Sequence, residues 1–221
     1  MPRVKTDDEI REFRAALCAV AERLFAKHGY EGVTLRALAG ELGCSPMTPY
    51  RYFENKEAIF AAVRTAAFVR FGEAIEKAAA EPAEPVERIR NMGRAYVAFA
   101  MREQSAYRIM FEIARPAGLD ADALADPEQR GSLLRGWVPL IEAMEELVER
   151  GIVAGDPLEL AHLAFVTLHG LVTLELAGKF LLGRSFDEMV EPALEHVLRG
   201  IGAPPTAASV ERGAPCPAPP S

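Results

Sequence analysis

The sequence of 221 residues has few cysteines and no excess of basic charge. Cys18, Cys44 and Cys216 lie far apart, which fits neither a disulfide framework nor a zinc knuckle and favours a reducing cytosol. The formal net charge of −7 argues against a wholly basic surface. No charged leader followed by an apolar run precedes the first predicted helix, and no apolar run approaches the ~20 residues that cross a bilayer. We therefore expect a soluble, cytoplasmic protein without a membrane partner.

The charged residues are distributed unevenly along the chain. Residues 1–64 hold 10 of the 25 Lys and Arg residues but only nine of the 32 Asp and Glu residues, so the remainder carries the acidic excess. With a net charge of −7, the electrostatic field of the whole chain does not attract nucleic acid. A nucleic-acid site would therefore need a local arrangement of cations near the N-terminus.

Alternating runs rich in β-branched residues are missing, whereas helix signals recur throughout. Predicted helix starts carry side-chain caps at Thr6 with Glu9, Thr34, Ser45, Asn55, Asp126, Asp156, and Ser185 with Glu188. Pro85 suits the first position of a helix that ends near residue 102, and another covers about 106–114. A long helix is expected over about 127–151, and the last one ends at Gly200. These signals predict an all-α protein with about nine helices.

The stretch GCSPMTPYRYFENKEAIF, residues 43–60, joins two short predicted helices through only three residues. So short a connection predicts a steep crossing, as in a helix-turn-helix. Gly43 supplies the left-handed turn residue. Pro46 falls at the first position of the third helix and Pro49 at the fourth, where a missing N–H costs little. We expect a stiff first turn that loses little entropy when it docks.

The side chains of this third helix suggest contacts with a DNA duplex. Ser45, Met47 and Thr48 are predicted to project from the end that would enter a major groove. Tyr50 and Tyr52 would flank that face, where each phenol can reach a phosphate. The alternative is that these tyrosines belong to an ordinary helical core.

Three flanking features extend this interpretation. Phe53 is expected to turn inward as the anchor of the third helix. Lys56 lies in the first turn of the fourth helix, where a cation is unfavourable unless an anion is bound there. Arg3 and Lys5 fit either an arm along the DNA backbone or ordinary solvated terminal residues.

TLRALAGELGCS (34–45) followed by YRYFENKE (50–57) resembles the DNA-binding domain of the tetracycline-repressor-like (TetR) family, over roughly residues 7–60. The resemblance implies a ligand-responsive transcriptional regulator, more often a repressor, that binds a palindromic operator as a homodimer. It implies phosphate contacts by Thr34, Arg36, Tyr50, Tyr52 and Lys56, and base contacts near Ser45, Met47, Thr48 and Arg51. Pro49 stands where the family usually has an aliphatic residue, which affects the tilt of the recognition helix.

The apolar stretch 164–183 predicts a helix that is buried on more than one side, with Gly170 and Gly178 permitting close helix approach. Together with residues 186–198 it could form a four-helix bundle across a two-fold axis. Leu168, His169 and Gly170 resemble a Trp-His-Gly C-terminal subgroup of the same family, with Phe165 where the Trp is expected. The implied domains are a helix-turn-helix domain at 1–60, an effector-binding and dimerisation domain at 61–202, and a disordered proline-rich tail at 203–221.

Aromatic and thioether side chains in the second domain are candidates for an effector site. In this family the matching region encloses a pocket for a small, mostly apolar effector, and the candidates are Tyr96, Phe99, Tyr107, Met110, Phe111, Trp137, Met144 and His169. Such residues at helical spacing also fit a plain core. His162, His169 and His196 could suggest a metal, but interface histidines are the favoured reading, so no metal or cofactor is expected.

A different class of function remains open at this point, namely a helical small-molecule carrier or enzyme without a DNA role. The sequence shows no nucleophile–base pair, phosphate-binding loop or metal triad. We therefore expect that the protein is not an enzyme, and DNA binding separates the two hypotheses.

Overall fold

The structure, a computed structural model, describes residues 6–113, 126–181 and 183–203. Arg3, Lys5, Cys216 and the predicted tail from 204 onward lie outside the described residues, as does most of the predicted loop at 115–126. Over the described ranges the chain has α-helices and no strand, which confirms the all-α prediction. The helices are α1 (Asp7–His28), α2 (Leu35–Glu41), α3 (Lys56–Ala79), α4 (Pro85–Arg102), α5 (Gln104–Phe111), α6 (Pro127–Leu134), α7 (Val138–Glu149), α8 (Pro157–Leu176) and α9 (Phe186–Gly200).

Side-chain caps start most of these helices as predicted. Thr6 and Glu9 form a reciprocal capping box at α1, and Ser185 and Glu188 form another at α9. Four other predicted caps accept a hydrogen bond from a backbone N–H in the first turn, and they are Thr34, Asn55, Asp126 and Asp156. The predicted cap Ser45 accepts from the Met47 N–H at 3.4 Å, but no α-helix begins there. These bonds satisfy N–H groups that have no partner within the helix.

The single long helix predicted over about 127–151 is wrong, because the structure has two helices there. α6 ends at Leu134 and α7 begins at Val138. Pro139 lies in the first turn of α7, where its missing N–H costs nothing. Inside a continuous helix the same ring would clash with the carbonyl four residues earlier. The helix therefore ends and restarts.

The chain divides into two compact units that do not follow the predicted boundary at residue 60. Unit 1 contains the described parts of Met1–Glu73 and Arg102–Arg135, and unit 2 those of Ala74–Met101 and Gly136–Ser221. The predicted division concerns functional domains and stays a prediction.

Unit 1 is built around aromatic rings. Phe60 packs edge-on against Phe25 and Tyr30, with both pairs of ring centroids 5.1 Å apart. Leu17 and Ile109 are also fully buried in this cluster. Burying such side chains is worth about 1.5–3 kcal/mol each, so this core holds α1, α3 and α5 together.

Unit 2 joins α4 to α9 through an ionic network, which consists of Glu87, Arg90, Arg94, Glu191 and Glu195. Arg90, with 4% of its side chain exposed, binds Glu195 at 3.0 Å and Glu87 at 3.2 Å. Arg94 binds Glu191 through two N–H groups at 2.7 and 2.9 Å. The buried guanidinium therefore has carboxylate partners on both helices, as a desolvated charge requires.

Among the described residues of the single chain, no close helix approach occurs at Gly170 or Gly178, so the predicted approach there stays a prediction for an interface between copies. Gly170 faces open space, and Gly178 lies beyond the end of α8 with a φ of +64°. The close approach in unit 2 occurs at Gly93 on α4, where a methyl group would overlap the side chain of Leu194 on α9. Glycine there leaves space for the Leu194 side chain against α4.

One face of α8 is apolar and exposed. Leu163 is 53% exposed, Val166 63% and Leu174 47%. We call these three residues the α8 stripe. An 18-residue window of this 20-residue helix has a mean hydropathy of 1.3, so by length and composition alone the helix could cross a membrane. The expectation that no apolar run approaches that length was therefore too strict.

Candidate nucleic-acid interface

The turn after α2 forms as the sequence predicts. The Thr34 hydroxyl accepts from the Ala37 N–H at 3.1 Å, while Ala39 is fully buried. Gly43 has a φ of +63°, and the Cys44 N–H donates to the Ala39 carbonyl at 2.9 Å. These bonds close α2 and turn the chain into the segment 45–53, which we call the recognition turn.

The recognition turn is not the α-helix that was predicted. It contains a 3₁₀ turn at Pro49–Arg51. Three of its backbone hydrogen bonds span three residues, from Thr48 to Ser45, from Arg51 to Thr48 and from Tyr52 to Pro49, and one spans four, from Phe53 to Pro49. Pro49 cannot donate to the Ser45 carbonyl, and in an α-helix its ring would crowd that oxygen. The Thr48 N–H takes this acceptor instead, at 2.8 Å, which tightens the helix.

The predicted contact residues are accessible to different degrees. Met47 is 65% exposed and Tyr50 50% exposed. Thr34, Arg36, Ser45 and Arg51 are also exposed, whereas Thr48, Tyr52 and Lys56 are partly buried. The recognition turn therefore presents hydroxyl, thioether and guanidinium groups to solvent. Their roles in DNA contact stay predictions.

The inward side of the recognition turn is apolar. Phe53 is 7% exposed, which confirms its predicted role as an anchor, and Pro49 is also buried. Pro49 thus fills the place of an aliphatic residue. Tyr52 is half-buried, with its ring stacked on Phe13 of α1 at a centroid distance of 4.3 Å. The alternative of core tyrosines therefore holds in part for Tyr52 but not for Tyr50.

A cation that the sequence argument missed lies against this segment. The guanidinium of Arg14 donates through Nη1 to the Tyr52 carbonyl oxygen and lies 4.1 Å from the centre of the Phe53 ring. Nothing in the local sequence pattern of α1 distinguishes Arg14 from its neighbours. The contact joins residues 38 positions apart and becomes visible only in the fold.

Lys56 has partners within the protein. Its ammonium group donates to the Tyr30 carbonyl at 3.2 Å and lies 4.0 Å from the centre of the Tyr30 ring. The Tyr30 hydroxyl donates to Glu57 at 2.6 Å. Burial and this hydrogen bond raise the pKa of Tyr30, and the same bond lowers the pKa of Glu57. A phosphate at Lys56 would have to compete with these contacts.

Five of the predicted effector residues lie in unit 2, and two of them are in direct contact. The Tyr96 hydroxyl is 3.1 Å from His169 Nδ1. The Phe165 ring stacks on His169 at 5.2 Å and approaches Trp137 at 5.1 Å. These four residues form the unit 2 aromatic cluster. Phe99 and Met144 also belong to unit 2 and are fully buried.

The other three predicted effector residues lie in unit 1. Tyr107 is fully buried, Met110 is 4% exposed, and the Tyr107 and Phe111 ring centroids are 5.0 Å apart. Phe111 also meets Phe68 edge-on at 5.8 Å. Their packing is that of a core, and a shared effector site for all eight residues stays a prediction.

The histidines were weighed as metal ligands. His162 Nδ1 lies 2.7 Å from the Leu158 carbonyl oxygen, and its ring lies 4.7 Å from that of Trp137. Among the residues that the structure describes, no group of three or more His, Cys, Asp or Glu side chains is placed to hold a metal ion.

Known proteins resemble the chain in both sequence and fold. The HTH-type transcriptional repressor AcnR of Corynebacterium efficiens is 34% identical over 74 residues, which is 34% of this chain and 39% of the repressor. The match thus spans about two fifths of that relative. A protein with unknown function from Rhodococcus sp. RHA1 is 27% identical and has a TM-score of 0.72, over 91% of this chain and 99% of that protein. A TetR family transcription regulator from Marinobacter aquaeolei VT8 shares the fold at 20% identity, with a TM-score of 0.70 over 90% of this chain and 100% of that one.

Two family models match the sequence. The model for bacterial regulatory proteins of the tetR family matches residues 17–63, which include α2 and the recognition turn. The model described as a tetracyclin repressor-like C-terminal domain matches residues 89–199, half of the chain. The chain therefore belongs to the TetR family of bacterial regulatory proteins.

Proposed function

We propose that this protein is a cytoplasmic, DNA-binding transcriptional regulator, most simply a repressor, that binds a palindromic operator as a homodimer and is released by a small, mostly apolar effector. The observation that carries the proposal is the exposed edge of the recognition turn beside α2. Met47, Tyr50 and Arg51 face solvent there, while Phe53 and Pro49 anchor the segment from behind.

The chemistry of this edge suits a duplex. Arg36 and Arg51 carry charge for phosphates, and the Tyr50 hydroxyl can donate to a phosphate oxygen. Met47 and Thr48 offer apolar and hydroxyl contacts that can distinguish base edges in the major groove. Since the chain as a whole is acidic, binding must depend on this local set.

The homodimer is supported by the α8 stripe. Three aliphatic side chains that are about half exposed on one helix face form a patch that a second copy of the chain could bury. On the neighbouring α9, Pro192 and His196 are exposed and Met189 is half-buried. A homodimer on a palindromic operator requires its two recognition turns to lie about 34 Å apart or a multiple of that distance, because successive major grooves have that spacing.

The effector proposal is supported by the unit 2 aromatic cluster. Its rings provide apolar surface, and the Tyr96–His169 pair provides a polar group that could orient a ligand. An effector that binds more tightly to the DNA-free conformation would release the operator, because differential affinity for two states is sufficient to shift their populations.

Selection of bound duplexes from a random DNA pool, followed by salt titration of the selected duplex, tests the proposal. We expect preference for a palindrome over random duplex and a steep loss of affinity with rising salt, since each phosphate contact releases counterions. Failure to prefer any duplex would overturn the proposal and favour the small-molecule carrier or enzyme.

A further inference from the structure

The recognition turn has little internal hydrogen bonding to hold it in place. Pro46 and Pro49 carry no N–H, and the hydrogen bonds that do form within the turn mostly span three residues. Such bonds have poorer geometry than α-helical ones and support only short runs. Isolated helices of this length are marginal in water. The position of the turn must therefore depend on contacts with the rest of unit 1.

Two adjacent residues of α1 supply contacts at the end of the turn. Arg14 donates to the carbonyl oxygen of Tyr52, at the C-terminal end of the 3₁₀ turn, where a helix leaves acceptors without a donor. Its guanidinium also covers the Phe53 ring. Phe13 stacks on Tyr52 with an interplanar angle of 25°. The backbone and both rings are thus held from the same helix.

We propose that Arg14, supported by Phe13, is a positioning residue for sequence-selective DNA binding. The inference rests on the DNA-binding function proposed above. Arg14 acts through Tyr52 and Phe53 and does not need to touch DNA. Without its contact the turn can tilt, so Thr48 no longer meets the base edges in register, and the operator loses more affinity than a random duplex does.

Arg14 is exposed, so its charge could also attract DNA in general. That effect would weaken every duplex alike, because phosphates carry no sequence information. Arg11 is the matched control, since it is an exposed arginine on the same helix. It pairs with Asp8 in its own turn of helix. Arg11→Met removes a positive charge just as Arg14→Met does. The Asp8 carboxylate that it leaves unpaired is exposed to water, so its loss of a partner costs little.

The binding experiment uses the full-length protein and the duplex selected from the random pool. The ratio of affinities for this duplex and a scrambled one is measured at one salt concentration. We expect Arg14→Met to lower the ratio about tenfold, equivalent to about 1.4 kcal/mol. Arg14→Lys should retain most of the ratio, since an ammonium group can still donate to the carbonyl and face the ring. Arg11→Met should leave it unchanged.

Two results would overturn the inference. One is a ratio for Arg14→Met that stays within about twofold of that for Arg11→Met. The other is a lower melting temperature for Arg14→Met with an unchanged ratio, which would make the contact merely structural.

Amide hydrogen exchange of the DNA-free protein separates this inference from the proposed function. The Tyr52 and Phe53 N–H groups both donate to the Pro49 carbonyl at 3.0 Å. Their exchange should become about tenfold faster in Arg14→Met and stay unchanged in Arg11→Met, because the closed turn loses its support. Unchanged exchange in Arg14→Met would refute the positioning role. If exchange quickens but the wild type prefers no duplex, the DNA-binding function itself has failed, and the selectivity role of Arg14 fails with it.

Discussion

The recognition turn in unit 1 and the α4–α9 pair in unit 2 distribute polar and apolar groups in opposite ways. Unit 1 buries aromatic rings and exposes groups that suit a polyanion, such as Tyr50 and Arg51. Unit 2 buries the guanidinium of Arg90 within an ionic network and exposes the aliphatic α8 stripe. A surface that meets nucleic acid needs charge in water, whereas one that meets protein needs apolar area to bury. The difference indicates what kind of partner each surface suits.

The largest expected effect comes from removing the buried charge of unit 2. Arg90→Met should lower the free energy of unfolding by about 3–5 kcal/mol, because it leaves Glu195 without its buried partner. The melting temperature should fall by roughly 10 °C, which thermal denaturation would record. Arg199→Met is the control, since Arg199 also binds Glu195 but is 61% exposed. Its change should be below about 1 kcal/mol. Equal losses for both variants would contradict the distinction between buried and exposed charge.

The next effect concerns the exposed apolar face of unit 2. Val166→Glu should weaken the proposed dimer by at least about 100-fold, because a two-fold interface would bury two unpaired carboxylates. Sedimentation across a concentration series measures the dissociation constant. Val138→Glu introduces the same group at an exposed valine of α7 outside the α8 stripe, and should leave association unchanged. A dimer that tolerates Val166→Glu would show that the stripe is not the interface.

A smaller effect is expected at the exposed polar face of unit 1. Tyr50→Phe should weaken binding to all duplexes by roughly fivefold, since it removes one phosphate hydrogen bond worth about 1 kcal/mol. Thr48→Ala should instead change the sequence preference among duplexes, because Thr48 is assigned to base edges. Competition binding with single-base operator variants distinguishes the two patterns. Identical behaviour of both variants would refute this assignment of contacts.

The smallest effect concerns the pH dependence of stability, and Glu195→Gln tests it because the variant lacks the titrating carboxylate. Burial alone would raise the pKa of Glu195, but hydrogen bonds from Arg90 and Arg199 together lower it below its usual value. Because the pKa is lower in the folded state, the carboxylate stabilises the fold above its ordinary pKa of about 4.3, and this contribution is lost as pH falls. Unfolding by denaturant from about pH 5 down to about pH 2 should show a shallower loss of stability with falling pH in Glu195→Gln than in the wild type. If the free energy of unfolding falls equally steeply with pH in both proteins, the lowered pKa of Glu195 is not a source of acid sensitivity.

Features that depend on neighbours in sequence were predicted well. Thr6 with Glu9 and Ser185 with Glu188 form capping boxes because the atoms involved are three residues apart in the chain. Phe53 was placed inward by the same local logic, and the structure confirms it. The exposure of Tyr50 on a turn after α2 follows from the short GCS connection.

Features that depend on distant partners were missed. Arg90 and Glu195 are 105 positions apart, so no local sequence pattern around either residue predicts their ion pair. Arg14 looks like any exposed helix residue until the fold brings Tyr52 beside it. The misjudged elements have a different cause, since Pro139 and Pro49 were given too little weight against the surrounding helix signals.

Gly93 makes room for the Leu194 side chain between α4 and α9, because a methyl carbon at Gly93 would lie 2.3 Å from Leu194 Cδ2. Relief of that overlap requires either that the Leu194 side chain repacks or that α9 moves away from α4. Such a movement would stretch the ionic network and carry the exposed residues of α9 with it. A methyl group added at the buried side of α4 could thus displace the exposed face of α9.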